Sequence, residues 1–166
     1  PDGNSFKYDK PLIFNDKGIV KAITYDPISK NKSDVAMKEF DLPKECFEIN
    51  NYADGGKKIL DGNTNSMIYH NVNEPIIITF NEEQNISGFR YTPNQARDAS
   101  RHIVDYELYV DGKLIKKSTF GNIKNNPIEQ VVKFESVKGR EVKFVPKSNT
   151  DNAKNCGIAE FSVITE

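Results

Sequence analysis

The sequence is poor in the residues that favour helices, since only 5 of its 166 residues are Leu and 7 are Ala. Its apolar positions are filled instead by 28 Ile and Val residues, together with 7 Tyr and 10 Phe. Branched and aromatic side chains suit the pleated surface of a strand better than a helix. The composition therefore argues against a helical bundle and predicts an all-β protein, with turns supplied by 18 Asn, 10 Gly and 8 Pro.

The chain also lacks an excess of charge of either sign, because 23 basic residues balance 24 acidic ones and leave a net charge of −1. A general electrostatic attraction to nucleic acid or to an anionic membrane is therefore not expected. No apolar run reaches about 18 residues, the shortest length typical of a membrane-spanning helix. We accordingly expect no nucleic-acid partner and no membrane insertion.

Two cysteines and two histidines offer little material for a metal centre or a nucleophilic site. Cys46 and Cys156 do not have the spacing of a zinc site. They either form a disulfide in an exported protein or remain two separate thiols. His70 and His102 belong to no spacing that indicates a catalytic triad. The sequence therefore predicts no catalytic residue in this chain.

Strand patterns divide the chain into two parts. In residues 1–45, segments 18–25 and 35–40 are predicted as short strands, which are too few to form a stable domain alone. Beyond residue 45, strands are predicted at 75–80, 86–92, 103–110, 113–120, 128–134, 141–145 and 158–165. Asp111-Gly112 predicts a tight hairpin, and residues 50–60 are the one candidate for a helical or irregular segment. Short strands at this spacing predict an antiparallel sandwich.

A resemblance to a known family rests on several short segments taken in order along the chain. They are Asp61-Gly62-Asn63 with Ser66, then 67–70, 75–80, 86–93, 103–110 and 157–161. Through them, residues 46–166 resemble a discoidin domain, also called the F5/8 type C domain, and its relatives the family 32 carbohydrate-binding modules. The resemblance implies a galactose-binding-like antiparallel β-sandwich, or jelly roll. Residues 1–45 resemble the tail of the small β-domain of chitobiases, hexosaminidases and fucosidases, or a linker.

The resemblance implies a structural calcium ion that ties the first loop to the last strand. Asp61 and Glu160 would provide carboxylates, Asn63 and Ala159 backbone carbonyls, and Ser66 a hydroxyl or carbonyl. Six to eight oxygen ligands, some of them charged, suit this cation. The alternative is a turn capped by Asp61, with Glu160 paired to a lysine.

The resemblance also implies a sugar-binding surface formed by loops at one end of the sandwich. The matching positions are His70, Asn94, Arg101 and Asn155, with Arg97 nearby and Tyr69, Tyr52 or another Tyr as the stacking ring. Asn94 stands where the family often has Arg, and the chain contains no Trp, so the sugar identity is open. In the alternative interpretation, Asn94, Arg97 and Arg101 simply form a solvated loop.

The function implied is that of a non-catalytic, monomeric carbohydrate-binding module. It would target an attached chitobiase-, hexosaminidase- or fucosidase-like glycoside hydrolase to glycans, so its partners are a glycan or monosaccharide and the catalytic domain of that enzyme. The alternative is a structural or protein-contact domain of the same enzyme that does not bind sugar. Because the chain begins with Pro1, we expect it to be a piece of a longer protein. We expect that protein to be exported to the periplasm or surface of a bacterium.

Overall fold

The structure is a computed structural model that describes residues 1–12, 17–42, 47–50, 52, 56–96 and 100–166. The chain divides into two compact units, Pro1–Pro43 and Lys44–Glu166. In the first unit, strands β1 (Gly18–Ala22) and β2 (Ala36–Phe40) form an antiparallel pair. The β2 side chains are all exposed, as expected for a sheet of only two strands.

The second unit is an antiparallel β structure, which confirms the all-β prediction. Its strands are β3 (Phe47–Asn50), β4 (Ile68–Asn71), β5 (Ile76–Pro93), β6 (Asp105–Val110), β7 (Lys113–Thr119), β8 (Gln130–Pro146) and β9 (Asn155–Thr165). The candidate helical segment contains one 3₁₀ helix, Lys57–Ile59. Within the described ranges, no helix is long and apolar enough to cross a membrane.

The strands form the two layers of a sandwich because β5 and β8 are long and contribute to both. One layer is β4-β9-β5-β8, built from residues 86–93 of β5 and 130–137 of β8. The other is β3-β5-β8-β6-β7, built from their remaining halves. The register of β5 against β8 shifts between Thr79 and Gln84, where the strand bends between layers.

The sequence predicts four short strands where β5 and β8 run without interruption. The polar stretch 81–85 looks like a loop in the sequence. Gln84 and Asn85 nevertheless stay paired with Gly139 and Lys138, so the backbone ladder continues through the bend. The predicted hairpin is confirmed: β6 and β7 are joined by Asp111 and Gly112, which both have positive φ, 46° and 75°.

The core between the layers is aromatic. The Phe89 ring lies 5.4 Å from the rings of Tyr106 and Phe144 and 5.6 Å from that of Phe161, measured between ring centroids. These four residues belong to β5, β6, β8 and β9, and each is almost completely buried. Because burying a large apolar side chain contributes about 2–3 kcal/mol, this cluster is a main source of the stability of the sandwich.

Candidate functional site

The edge formed by β4 and β9 sorts its side chains onto two faces. Tyr69 pairs with Gly157, and Asn71 pairs with Asn155. Successive side chains of a strand alternate between faces, and residues paired across a ladder share one, so these four lie on the same face. The Tyr69 side chain is 54% exposed and Asn71 is also exposed, which identifies this as the solvent face. We call it the outer face.

Arg101, in the loop before β6, reaches this outer face. Its Nη1 donates a hydrogen bond to Asn155 Oδ1 at 2.6 Å. Its guanidinium carbon lies 5.2 Å from the centre of the Tyr69 ring, a cation–π arrangement. The structure therefore brings three of the predicted sugar-binding residues together from three separate segments of the chain.

A buried hydroxyl fixes the backbone behind this cluster. Tyr91 Oη accepts a hydrogen bond from the Ile103 N–H and donates one to the Gly157 carbonyl, both at 3.1 Å. Burial raises the pKa of Tyr91, so the hydroxyl keeps its proton. The Gly157 N–H in turn donates to the Arg101 carbonyl at 2.9 Å. The loop that carries Arg101 is thus attached to β9 and to the core of the sandwich.

Asn94 lies directly after β5 and is only 2% exposed. Its Oδ1 accepts a hydrogen bond from the Ala96 N–H at 2.9 Å. A methyl group at Gly157 would lie 2.9 Å from Asn94 Cβ, so Asn94 packs against the glycine of the outer face. Asn94 is therefore beside the cluster but largely covered, and Arg97 lies outside the described residues.

His70 lies on the opposite, inner face of β4, with 5% of its surface exposed, and pairs with the fully buried Cys156. The Tyr52 hydroxyl is 2.5 Å from His70 Nδ1, and His70 Nε2 is 2.9 Å from the Glu74 carbonyl. A neutral ring that carries its proton on Nε2 satisfies both contacts. Burial lowers the pKa of His70, which favours this neutral form. Both ring nitrogens therefore have protein partners in this structure. Direct sugar contact by His70 stays a prediction.

The thiol of Cys156 is free and buried, and its Sγ donates to the His70 carbonyl at 3.2 Å. Burial raises the pKa of this thiol to about 12, so it is protonated and unreactive at neutral pH. Cys46, the other cysteine, lies outside the described residues, so both alternatives for the two thiols stay predictions.

An open depression of about 500 Å³ adjoins the outer face. It is lined by Asn71, Val72, Asn73, Asn152, Ala153 and Lys154. The three asparagine amides provide both hydrogen-bond donors and acceptors, the groups that suit a ligand rich in hydroxyls. Because the depression includes Asn71 and ends next to Asn155, it extends the surface that Tyr69 and Arg101 begin.

The loop between β8 and β9 is organised by Asn149, which is only 5% exposed. Its Oδ1 accepts hydrogen bonds from the Asp151 and Ala153 N–H groups, each at 3.0 Å. Its Nδ2 donates to the Ala153 and Asn155 carbonyls, at 2.8 and 3.0 Å. All four hydrogen-bonding positions of this amide are thus used to shape the loop that supplies Asn155.

Sequence reasoning missed Asn149, Asp151 and Asn71 as parts of this site. Asn71 could have been found from its spacing to Tyr69, because residues two apart on a strand share a face. The sequence predicts no strand between residues 45 and 75, and β4 is short, with only four residues. Asn149 and Asp151 gave no distinguishing signal in a sequence with 18 Asn and 24 acidic residues.

Three of the predicted calcium ligands, Asp61, Asn63 and Ser66, lie together in one loop. Asp61 Oδ1 accepts from the Asn63 N–H at 2.7 Å, and Ser66 Oγ donates to Asp61 Oδ2 at 2.7 Å. Ser66 Oγ also lies 2.9 Å from the Asn63 carbonyl oxygen. A carboxylate, a hydroxyl and a carbonyl thus converge within one loop, which is the oxygen chemistry that a hard cation requires. The same bonds describe the capped turn that was the alternative.

Ala159 and Glu160 lie on β9, which contacts the 3₁₀ helix just before that loop. Ile68 of β4 pairs with Ile158 of β9, and extending this register by two residues would bring Ser66 level with Glu160. Among the described residues, no three His, Cys, Asp or Glu side chains are grouped to hold a metal ion. The predicted calcium site contains only two carboxylates, so its other ligands would be carbonyl and hydroxyl oxygens.

Comparisons with known proteins identify the family and the fold. A family model described as F5/8 type C domain matches residues 45–161, and one described as Fn3 associated matches residues 1–40. No curated protein matches the chain.

Several solved structures share the fold. The family 32 module of Clostridium perfringens NanJ, in complex with galactose, has 18% identity and a TM-score of 0.61, covering 75% of this chain and 96% of its own. CpGH89CBM32-5 from the same organism, in complex with GalNAc-β-1,3-galactose, has 21% identity and a TM-score of 0.61, covering 74% and 97%. The C-terminal domain of a Bacteroides fragilis chitobiase has 20% identity and a TM-score of 0.59, covering 75% and 97%.

Proposed function

Because the chain belongs to the F5/8 type C domain family, we propose that its second unit is a non-catalytic module that binds a glycan. The observation that carries the proposal is the convergence of Tyr69, Arg101 and Asn155 on the outer face of β4 and β9. An aromatic ring, a guanidinium and an amide are the groups that recognise the apolar face and the hydroxyls of a sugar ring.

In the proposed complex, Arg101 and Asn155 bind sugar hydroxyls. A guanidinium has five N–H donors, and the bond to Asn155 uses one of them. Tyr69 provides an apolar ring edge and face beside this cation, and the neighbouring amides of Asn71 and Asn73 extend the polar surface. His70 lies on the inner face, where its ring contacts the Tyr52 hydroxyl and the Glu74 carbonyl.

Galactose and N-acetylgalactosamine are the first sugars to test, since two structures with this fold contain them. The side chains here are arranged differently from the expectation for that family, because Asn94 is covered and occupies the place where Arg is common. A single module of this kind typically binds weakly, and a dissociation constant of about 1 mM corresponds to about −4 kcal/mol.

We further propose that the module belongs to an exported bacterial glycoside hydrolase of chitobiase, hexosaminidase or fucosidase type, and that it acts as a monomer. The support is the similarity to the C-terminal domain of a chitobiase. Tethering would raise the effective concentration of the catalytic domain near its glycan, which is useful even when each contact is weak.

A structural calcium ion at Asp61, Asn63, Ser66, Ala159 and Glu160 is part of the proposal. It would join the loop at residues 61–66 to β9 and stabilise the folded state without taking part in sugar recognition. Calcium at about 100 times its dissociation constant would add about 2.7 kcal/mol to the free energy of unfolding. Thermal unfolding with calcium, with magnesium and with a chelator tests this, and Asp61→Ala should abolish the calcium-dependent rise.

The second candidate is a structural or protein-contact domain of the same enzyme. It is favoured by the absence of Trp and by the guanidinium that lies over the Tyr69 ring, since both reduce the aromatic surface open to a sugar. Size analysis of a mixture with the catalytic domain of the parent enzyme would reveal such a contact.

Titration of the ¹⁵N-labelled chain with galactose, N-acetylgalactosamine, N-acetylglucosamine and fucose tests the main proposal. We expect saturable amide shifts confined to β4, the Arg101 loop and segment 149–157. Arg101→Ala should move the titration to about tenfold higher sugar concentrations, whereas Lys138→Ala, where β5 and β8 bend, should leave it unchanged. Absence of any shift at tens of millimolar sugar, in a folded sample, would contradict the proposal.

A further inference from the structure

Arg101 has an unusual backbone conformation for its residue type. Its φ is +61°, in the left-handed region that residues other than glycine seldom adopt. Such a conformation is strained, and it persists where the surrounding structure imposes it. Two hydrogen bonds frame the residue: its N–H donates to Asp151 Oδ2, and its carbonyl accepts from the Gly157 N–H at 2.9 Å.

The Asp151 carboxylate is itself held in place. Thr150 Oγ1 donates to Asp151 Oδ2 at 2.9 Å, and the Asp151 N–H donates to Asn149 Oδ1 at 3.0 Å. The Thr150 N–H donates to the His102 carbonyl at 2.9 Å, and the His102 N–H donates to Thr150 Oγ1 at 3.2 Å. The acceptor for the Arg101 N–H is therefore part of a connected network between two loops.

Hydrogen bonds from the Arg101 N–H and the Thr150 hydroxyl lower the pKa of Asp151. The carboxylate is therefore ionised at neutral pH, and a charged acceptor forms a stronger bond to a backbone N–H than a neutral one.

The direction of the Arg101 side chain depends on this backbone. In the left-handed conformation its guanidinium reaches Asn155 Oδ1 at 2.6 Å and the Tyr69 ring at 5.2 Å. In an extended or right-handed conformation the Cα–Cβ bond would point elsewhere relative to β9. We infer that Asp151 is a positioning residue for glycan binding, whose carboxylate holds Arg101 in the conformation that directs its guanidinium to the outer face. The inference rests on the proposed function, because Asp151 affects glycan binding only if Arg101 contacts the glycan.

Two substitutions separate the hydrogen bond from the charge. Asp151→Ala removes the acceptor, whereas Asp151→Asn keeps an oxygen that can accept from the Arg101 N–H. With galactose or N-acetylgalactosamine as the probe, we expect Asp151→Ala to weaken binding about tenfold and Asp151→Asn to stay within about threefold of the unsubstituted chain. The matched control is Glu135→Ala, which removes an exposed carboxylate on β8 and should change nothing.

A readout without sugar reports on position directly. The Arg101 methylene protons near the Tyr69 ring should show upfield ring-current shifts in the unsubstituted chain. These shifts should disappear in Asp151→Ala and survive in Asp151→Asn. If Asp151→Ala keeps both the shifts and the affinity, the inference is wrong.

A double-mutant cycle shows whether Asp151 acts through Arg101. Asp151→Ala should have no further effect on affinity when Arg101 is already Ala, whereas additive losses would contradict the inference. Should Asp151→Ala not fold, Asp151→Ser replaces it, because a serine hydroxyl is one bond shorter and lies farther from the Arg101 N–H. Loss of the ring-current shifts in that variant would support the inference, and their retention would contradict it. If the chain binds none of the four sugars, the proposed function fails, while the ring-current experiment still decides whether Asp151 positions Arg101.

Discussion

Tyr69 and His70 are neighbours on β4 and were both predicted to bind sugar, but the two faces of the strand place them in opposite environments. Tyr69 is half exposed next to Arg101 and Asn155, whereas His70, one residue later, is enclosed between Tyr52 and the Glu74 carbonyl. Both residue types commonly bind sugars. The comparison teaches that the alternation of a four-residue strand, rather than the chemistry of the side chain, decides which of them is exposed on the outer face and which is enclosed by protein.

The largest effect should come from the inner face. His70→Ala removes a buried ring and leaves the Tyr52 hydroxyl and the Glu74 carbonyl without this partner. We expect the free energy of unfolding to fall by about 2–4 kcal/mol, measured by urea denaturation. Sugar affinity of the fraction that remains folded should change little. A large loss of affinity without loss of stability would show instead that His70 contacts the ligand.

Arg101→Ala, on the outer face, should have the opposite effect to His70→Ala: it should weaken sugar binding and leave the free energy of unfolding nearly unchanged. Removing the guanidinium should weaken sugar binding about tenfold, or about 1.4 kcal/mol, because charged hydrogen bonds to the ligand are lost. Stability should change by less than about 0.5 kcal/mol, as is usual for side chains near the surface. Isothermal titration and urea denaturation on the same sample separate the two quantities, and a purely structural Arg101 would lower stability instead.

Acidification should lower the free energy of unfolding through the buried histidines. Burial lowers the pKa of both His70 and His102 below the usual 6.5. As the pH falls through about 6.5, the unfolded chain therefore binds protons before the folded one does. Stability should be complete above that pH and decline below it, and His70→Gln should reduce this decline. Urea denaturation at about pH 7.5 and about pH 5.5 measures it, and equal slopes for both chains would exclude His70 as a source.

The smallest effect is expected for Tyr69→Phe. The ring that faces the Arg101 guanidinium is kept, and only the hydroxyl is lost. The free energy of sugar binding should therefore change by less than about 0.5 kcal/mol. Tyr69→Ala should weaken sugar binding more, because it removes the ring and with it the cation–π contact that holds Arg101, worth about 0.5–1 kcal/mol at an exposed site. If Tyr69→Phe binds as poorly as Tyr69→Ala, the hydroxyl rather than the ring contacts the sugar.

Much of the fold could be predicted because it depends on local patterns. Abundant Ile and Val, the alternation in 103–110 and the dipeptide Asp111-Gly112 each specify strands or a turn within a few residues. The continuity of β5 and β8 could not be predicted in the same way. It depends on pairing between 84–85 and 138–139, which are more than fifty positions apart in sequence.

The site was predictable as a set of residues but not as an arrangement. Tyr69, Arg101 and Asn155 were identified by resemblance and lie together, while His70 from the same set faces inward. Residues that shape the loops, such as Asn149 and Asp151, act through backbone hydrogen bonds formed only after folding. No sequence spacing encodes such bonds, so only coordinates could reveal them.

The passage of β5 and β8 through both layers has one consequence for motion. Backbone hydrogen bonds connect β4 at one border to β7 at the other without a break. Neither layer should unfold alone, because unfolding one layer would also disrupt β5 and β8, the two strands that it shares with the other. Amide protons deep in either layer should therefore exchange with deuterium through a common, global opening, and the outer face of β4 and β9 should open only together with the rest of the sandwich.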